Sequence, residues 1–269
     1  MEWKNIYRGF VMGTSDVVPG VSGGTIAVLL GIYDQLIEAI SALFTKKWRQ
    51  SLMFLIPLAI GAGSAILAFS KVINYLLEYY SMFTFYFFIG LILGILPYLF
   101  RESNALKTFK WQHIALLIIG VIIIVLIPTN GDEDLLITDR SMSTYFFLFI
   151  SGVVASAAMI LPGISGSLVL LVLGSYGTIL HAVEHFEFSV LVVVAIGIFL
   201  GIISISNIIK YFLHHFHTAT FALIIGFVIG SIYVIFPGWP LSIGSTLISL
   251  LIFLAGLTIA TILGRIEYE

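Results

Sequence analysis

Six uninterrupted apolar stretches dominate the chain, at Leu52–Phe69, Met82–Phe100, Trp111–Pro128, Val190–Ile209, Ala219–Phe236 and Leu241–Leu263. A helix needs about 20 mainly apolar residues to cross a hydrocarbon layer about 30 Å thick, so each stretch has spanning length. The pattern specifies an all-α polytopic membrane protein. Composition agrees, because 60% of the residues are hydrophobic and only 10% charged, whereas soluble domains carry about 25% charged residues. The net charge of -2 leaves no basic field to hold nucleic acid. With no cysteine, disulfides, thiolate metal sites, haem attachment and a cysteine nucleophile are excluded. The apolar run after Arg8 contains Asp16 and Pro19 and has no small-residue cleavage site, so it does not read as a signal peptide and the N-terminus is expected to be retained.

The chain also repeats itself. Gly9 to Ile40 recurs as Gly152 to Val183, and both copies carry a helix-breaking word, Pro19-Gly20-Val21-Ser22-Gly23 and Pro162-Gly163-Ile164-Ser165-Gly166, offset by 162 − 19 = 143. A second match at 226 − 90 = 136 aligns Ser70 to Gly94 with Ser206 to Gly230, pairing Tyr75 with Tyr211, Thr84 with Thr220 and Gly90 with Gly226. Gly120 falls on Gly256 at that offset. The duplication predicts two units, 1–136 and 137–269, each a broken motif segment (about 9–44 and 143–183) followed by three spans.

Each motif segment is too long for one straight span, so it is either a re-entrant hairpin or a broken full span. Charge separates these. With two re-entrant hairpins, Lys71 and Arg140 lie outside and the other 12 − 2 = 10 cations lie inside, whereas two crossing segments split the 12 evenly. Lys and Arg concentrate in cytoplasmic loops, which favours hairpins and puts both termini in the cytoplasm. Three spans between the copies then bring one hairpin in from each side, as inverted-topology repeats. The acidic loop Asp132-Glu133-Asp134 falls outside.

Matched interruptions in two apolar segments point to a transporter binding site, because unwound backbone at membrane depth survives only where protein or a cavity satisfies it. Helices are expected to restart at Ser22 and Ser165, and their first amides, lacking intrahelical acceptors, attract phosphate or carboxylate. Candidate headgroup-binding residues are therefore Pro19, Gly20, Ser22, Gly23, Gly24 and Thr25 with Pro162, Gly163, Ser165, Gly166 and Ser167. The competing reading is that the serines only cap their own helices. The glycine pairs Gly90/Gly94 and Gly226/Gly230 read as helix-packing spacings.

Asp16 precedes the first break and is matched by Met159 in the second copy; an intramembrane carboxylate is a candidate for proton coupling. Arg8 reads first as a topology anchor, with Asp16 or a lipid phosphate as alternative partners. Glu38 and His181 are equivalent positions that read as wetted interfacial residues before proton carriers. His181-Ala182-Val183-Glu184-His185 spells a zinc-peptidase motif without a third ligand, and His214, His215 and His217 are expected in a solvated loop. No metal or cofactor is expected. No nucleotide-binding glycine loop or nucleophile elbow occurs.

The approach Gly13-Thr14-Ser15-Asp16, the run Pro19 to Thr25 and the degenerate copy Pro162 to Ser167 resemble the bacterial polyprenyl-phosphate transporter family, the PopT-type undecaprenyl-phosphate translocases. The resemblance covers nearly the whole chain. It implies a plasma-membrane flippase that returns a polyprenyl phosphate lipid for reuse in cell-wall and surface-glycan assembly, with the two motif segments holding the headgroup. The motif is also similar to the Pro-Gly-x-Ser-Arg-Ser signature of BacA-type undecaprenyl-diphosphate phosphatases, but Gly23 and Gly166 stand where that signature has arginine. A membrane phosphatase, a carrier of a small soluble anion and a non-transporting lipid-binding scaffold remain as alternatives, and homo-oligomerisation is open.

Overall fold

A computed structural model describes residues 3–16, 22–128 and 136–268. Pro19, Gly20 and the Asp132 to Asp134 loop lie outside the described residues. The described chain is wholly helical: α1 (Lys4–Asp16), α2 (Gly23–Leu29), α3 (Tyr33–Ser41), α4 (Trp48–Glu102), α5 (Ala105–Thr108), α6 (Trp111–Val125), α7 (Met142–Ile160), α8 (Gly166–Val172), α9 (Tyr176–Glu184), α10 (Phe188–His215), α11 (His217–Ile235) and α12 (Ile243–Tyr268). Five of these are long and apolar enough to cross a membrane, or six if the bent pair α8 and α9 counts as one span.

The expected spans fall on helices, but Trp111–Pro128 is helical only over Trp111–Val125, short of spanning length. α7, expected as a hairpin arm, is itself long enough to cross, and two connections differ from expectation. The polar stretch between the first two spans is helix, so that α4 runs 55 residues. A straight helix of that length would measure about 82 Å, far beyond the hydrocarbon layer, so it must break. It does so at Tyr80, with φ -134° and ψ 34°. In the second half the break falls at Phe216, with φ -136° and ψ 43°, and 216 − 80 = 136. The three histidines expected in a loop are therefore helical: His214 and His215 end α10 and His217 opens α11. No glycine or proline stands at either break, so both connections shrink to one residue.

Close helix packing follows the same offsets. A Cβ on Gly90 would strike the Phe253 carbonyl and one on Gly226 the Leu117 carbonyl, where 253 − 117 = 136. Gly256 meets the Phe87 carbonyl and Gly120 the Leu223 carbonyl, where 223 − 87 = 136. The second part of α4 thus packs on α12, and α11 packs on α6. Likewise α1 packs on the start of α4 through Gly61 against the Ile6 carbonyl, and α7 on α10 through Gly197 against the Phe149 carbonyl, with 149 − 6 = 143.

Each motif segment has a second break absent from the sequence reading. α2 ends at Gly31 (φ 62°) and α8 at Gly174 (φ 70°), separated by 174 − 31 = 143. In both, the amide after the glycine bonds back five residues, Ile32 to the Ala27 carbonyl and Ser175 to the Leu170 carbonyl, each at 3.0 Å. The glycine amides close the inner ring, Gly31 to Val28 and Gly174 to Leu171, which completes a Schellman turn whose left-handed residue favours glycine. Beyond that turn α9 leaves α8 at 111°.

Candidate functional site

The first tip lies at the centre of the molecule. All seven residues of α2 are buried, among Ile92, Ile95, Leu99, Ile225 and Val228 of α4 and α11. Ser22 caps the helix by accepting the Gly24 amide at 3.1 Å, and the Gly23 amide donates to Asp16 Oδ1 at 2.6 Å. The anion-attracting end of α2 is thus filled by the chain's own carboxylate and hydroxyl.

The two tips touch. Ser22 Oγ donates to the Met159 carbonyl at 3.1 Å, and the Gly163 amide donates to Thr25 Oγ1 at 2.8 Å. Tyr33, which the sequence reading passed over, reaches the Ile160 carbonyl at 3.4 Å; its identity with Tyr176, one motif offset away, was the available signal. A Cβ on Gly24 would lie 2.8 Å from the Ile160 carbonyl oxygen, and one on Gly163 (φ 84°) 2.6 Å from Phe227 backbone, so glycine is required at both points of approach. The structure therefore gathers Asp16, Ser22, Gly23, Gly24 and Thr25 around Pro162 and Gly163.

Ser165, Gly166 and Ser167 are elsewhere. α8 begins alongside α7, a Cβ on Gly166 falling 2.9 Å from the Ala155 carbonyl oxygen and 3.2 Å from Met159 Cβ, so the chain doubles back on itself there. No residue of α8 is buried. Ser165 and Ser167 hydroxyls bond each other at 2.8 Å, and Ser165 provides no cap. Met159 stands where the first copy has Asp16, and its thioether offers no carboxylate to cap the start of α8. The amides of Gly166, Ser167 and Leu168 consequently have no acceptor among the described residues. Three consecutive unpaired donors thus lie beside two hydroxyls, an arrangement with the chemistry to receive an oxyanion.

Two apolar cavities flank the helix breaks. One, of about 500 Å³, is lined by Ile73, Leu76, Tyr80, Phe83, Thr84, Phe87, Phe88 and Ile252. The other, of about 460 Å³, includes Ile209, Phe212, Phe216, Ala219, Thr220, Leu223, Ile224 and Leu116, each displaced from its counterpart by 136 positions. The second also contains Leu161 and Phe227, which border the Pro162-Gly163 turn.

The remaining candidates sit apart from the tips. Arg8 bonds Asn5 at 3.1 Å and Glu267 at 2.5 Å, joining α1 to the end of α12. Glu38 is exposed and 3.9 Å from Lys47. His181 lies 3.1 Å from Glu187, which pairs with Arg140 at 2.7 Å. Hydrogen bonding from Arg140 holds the Glu187 carboxyl below its usual range, and Ser141 and Thr144 do the same for Asp139. His185 stacks on His181, with ring centroids 4.0 Å apart, and its Nδ1 lies 3.1 Å from the His181 carbonyl; among the described residues the peptidase-like spelling gathers no three-ligand set.

Multiple apolar helices wrapped around a buried, broken polar motif define a polytopic membrane protein of the transporter class. The chain belongs to the undecaprenyl phosphate translocase-like family, whose profile matches residues 12–248. It is 46% identical to the polyprenyl-phosphate transporter of Staphylococcus aureus, covering 100% of this chain and 98% of that protein. It is 36% identical to the polyprenyl-phosphate transporter of Vibrio cholerae, covering 88% of this chain and 79% of that one. No solved structure matches it.

Proposed function

We propose that this protein translocates polyprenyl phosphate, with undecaprenyl phosphate the expected substrate, across the bacterial plasma membrane without chemical conversion. The named relatives support this substrate class. The observation that carries the site assignment is the open triplet of amides at the start of the half-buried α8, with Ser165 and Ser167 beside it and an apolar cavity reaching Leu161 just before the turn. Phosphate sits on the amides and hydroxyls, and the first isoprene units lie in the cavity that Leu161 and Phe227 border. An ionised headgroup costs several kcal/mol or more to bury in hydrocarbon, while the isoprenoid tail is at home there, so the protein need shelter only the phosphate.

In this reading the chain is two inverted repeats, each a re-entrant hairpin and three spans, with both termini cytoplasmic. The matched glycine contacts, helix breaks and cavities support the duplication, and the cation distribution supports the orientation. The headgroup passes from the α8 cradle to the α2 end as the tips part, Asp16 yielding its place on the Gly23 amide. An inside-negative potential opposes inward movement of the anion by about 2.3 kcal/mol per charge per 100 mV, and a proton taken up at Asp16 lowers that barrier.

Proteoliposomes containing a fluorescent short-chain polyprenyl phosphate test this. Protein-dependent flipping without ATP is expected, and its absence under imposed pH and potential gradients would overturn the proposal. Phosphate release from a polyprenyl diphosphate would instead identify a phosphatase. Equal competition by inorganic phosphate would identify a carrier of small anions.

A further inference from the structure

Away from the tips, three side chains from three helices converge: Asp34 in the first turn of α3, Glu102 at the last residue of α4 and His217 at the first residue of α11. One ligand atom of each lies within 4.8 Å of the others, and this is the only such group among the described residues. Asp34 and Glu102 both border a cavity of about 220 Å³ that also contacts Val28, Gly31 and Tyr33. Neither carboxylate has a salt-bridge or hydrogen-bond partner among the described residues. Two unpaired carboxylates held this close repel each other, and Glu102 adds its charge at a helix C-terminus, where the backbone dipole already disfavours an anion. His217, at the first residue of α11, adds an imidazole nitrogen, the commonest metal ligand among protein side chains.

The cluster is not a by-product of the duplication. The equivalent positions of the other half are Gly177 (34 + 143), Gly238 (102 + 136) and Ser81 (217 − 136), none of which carries a ligand of this kind.

We propose that Asp34, Glu102 and His217 bind one first-row divalent cation, of the zinc or manganese type, which ties the α2–α3 arm to α4 and α11. Two carboxylates and an imidazole suit such cations better than Ca2+ or Mg2+, which favour all-oxygen shells. Three protein ligands leave positions for water, and the exposure of Asp34 and Glu102 gives the ion a way in. The Schellman turn at Gly31 joins α3 directly to α2, so an ion at Asp34 braces the arm that carries the first tip. This site is independent of the transport reading.

The test is Zn2+ binding to the full-length protein in nanodiscs after chelator treatment, with Mg2+ as comparison, read by competition with a chromophoric chelator and by thermal denaturation. One saturable Zn2+ site with a raised melting temperature is expected. Loss of even an outer-sphere partner weakens metal sites by about 10- to 100-fold, so His217→Ala, Asp34→Asn and Glu102→Gln should each weaken binding at least that far. His185→Ala, which alters the other histidine pair, should bind like the parent. Absence of saturable binding, or binding that survives His217→Ala but not His185→Ala, would overturn the assignment. A variant melting normally without metal excludes misfolding as the cause of lost binding.

Discussion

Thr25→Val tests the seam between the two tips. The substitution is nearly isosteric, so it removes the oxygen that accepts the Gly163 amide at 2.8 Å without opening a cavity. Thr25 is 1% exposed and Gly163 is also buried, so water cannot replace the acceptor. An unsatisfied buried donor costs about 1–3 kcal/mol. At about 1.4 kcal/mol per factor of ten, the equilibrium for parting the tips should shift about 5- to 150-fold. Hydrogen exchange of peptides spanning 161–165 in nanodiscs reads that equilibrium directly. Protection of the Gly163 amide should fall by this factor in Thr25→Val and be retained in Thr25→Ser, which keeps the hydroxyl. Unchanged protection in Thr25→Val, or equal loss in both variants, would refute the claim that this bond holds the tips together.

Gly226→Ala and Gly90→Ala should each destabilise the protein by about 1–3 kcal/mol through overpacking, seen as lower melting temperatures. Gly63, whose Cβ would meet nothing within 4 Å, should tolerate alanine or gain from its better helix propensity, and equal melting of all three would refute the close-packing account. Because the Glu187 carboxyl is held below its usual range, chiefly by Arg140, its contribution to stability is present above the unfolded-state pKa and disappears as pH falls through the folded value. Glu187→Gln should therefore melt below the parent at pH 7, with the gap closing below about pH 4; a gap that persists at pH 3 would refute this. Asp16→Asn keeps an acceptor for the Gly23 amide, so the protein should fold while the dependence of flipping on an imposed pH gradient disappears. Unchanged gradient dependence would remove Asp16 from the coupling.

The spans were legible because a helix in lipid must be apolar along its whole length, a signal that needs no tertiary knowledge. The duplication was legible at its glycines and prolines, which are hard to replace where backbones touch: the offset that paired Gly90 with Gly226 also paired their contacts, Phe253 and Leu117. The breaks at Tyr80 and Phe216 were hidden, because both residues are ordinary in helices; the hydroxyls of the matched pair Thr84 and Thr220 bond the carbonyls of the break residues, at 3.0 and 2.9 Å. The turns at Gly31 and Gly174 could have been read, since a glycine after an apolar helical run and one motif offset from its twin is a helix-end signal. The inequality of the tips was out of reach. Only tertiary structure buries α2 and leaves α8 half-buried, although the exchange of Asp16 for Met159 hinted that the two ends would be satisfied differently.

The same packing bears on why no arginine accompanies either tip. At Gly23 a Cβ would sit 2.7 Å from both Asp16 carboxylate oxygens, inside a helix whose residues are all buried. A long cationic side chain has no path out of that position, and placing one there would displace the hydrogen bond that anchors the helix start. At Gly166 a Cβ would meet the Ala155 carbonyl oxygen at 2.9 Å, which blocks the equivalent place on the outer tip. The departure from the phosphatase-like signature is therefore tied to the backbone approach at each of the two motifs and not to the side chain alone. With fixed cations barred from both positions, the donors left to meet a phosphate are amides and hydroxyls. Such groups hold an anion without neutralising it, and without a positive charge aimed at the developing leaving group they give little help to phosphoryl transfer. A site so constrained favours capture and release over cleavage, which is the behaviour the proposed translocase requires.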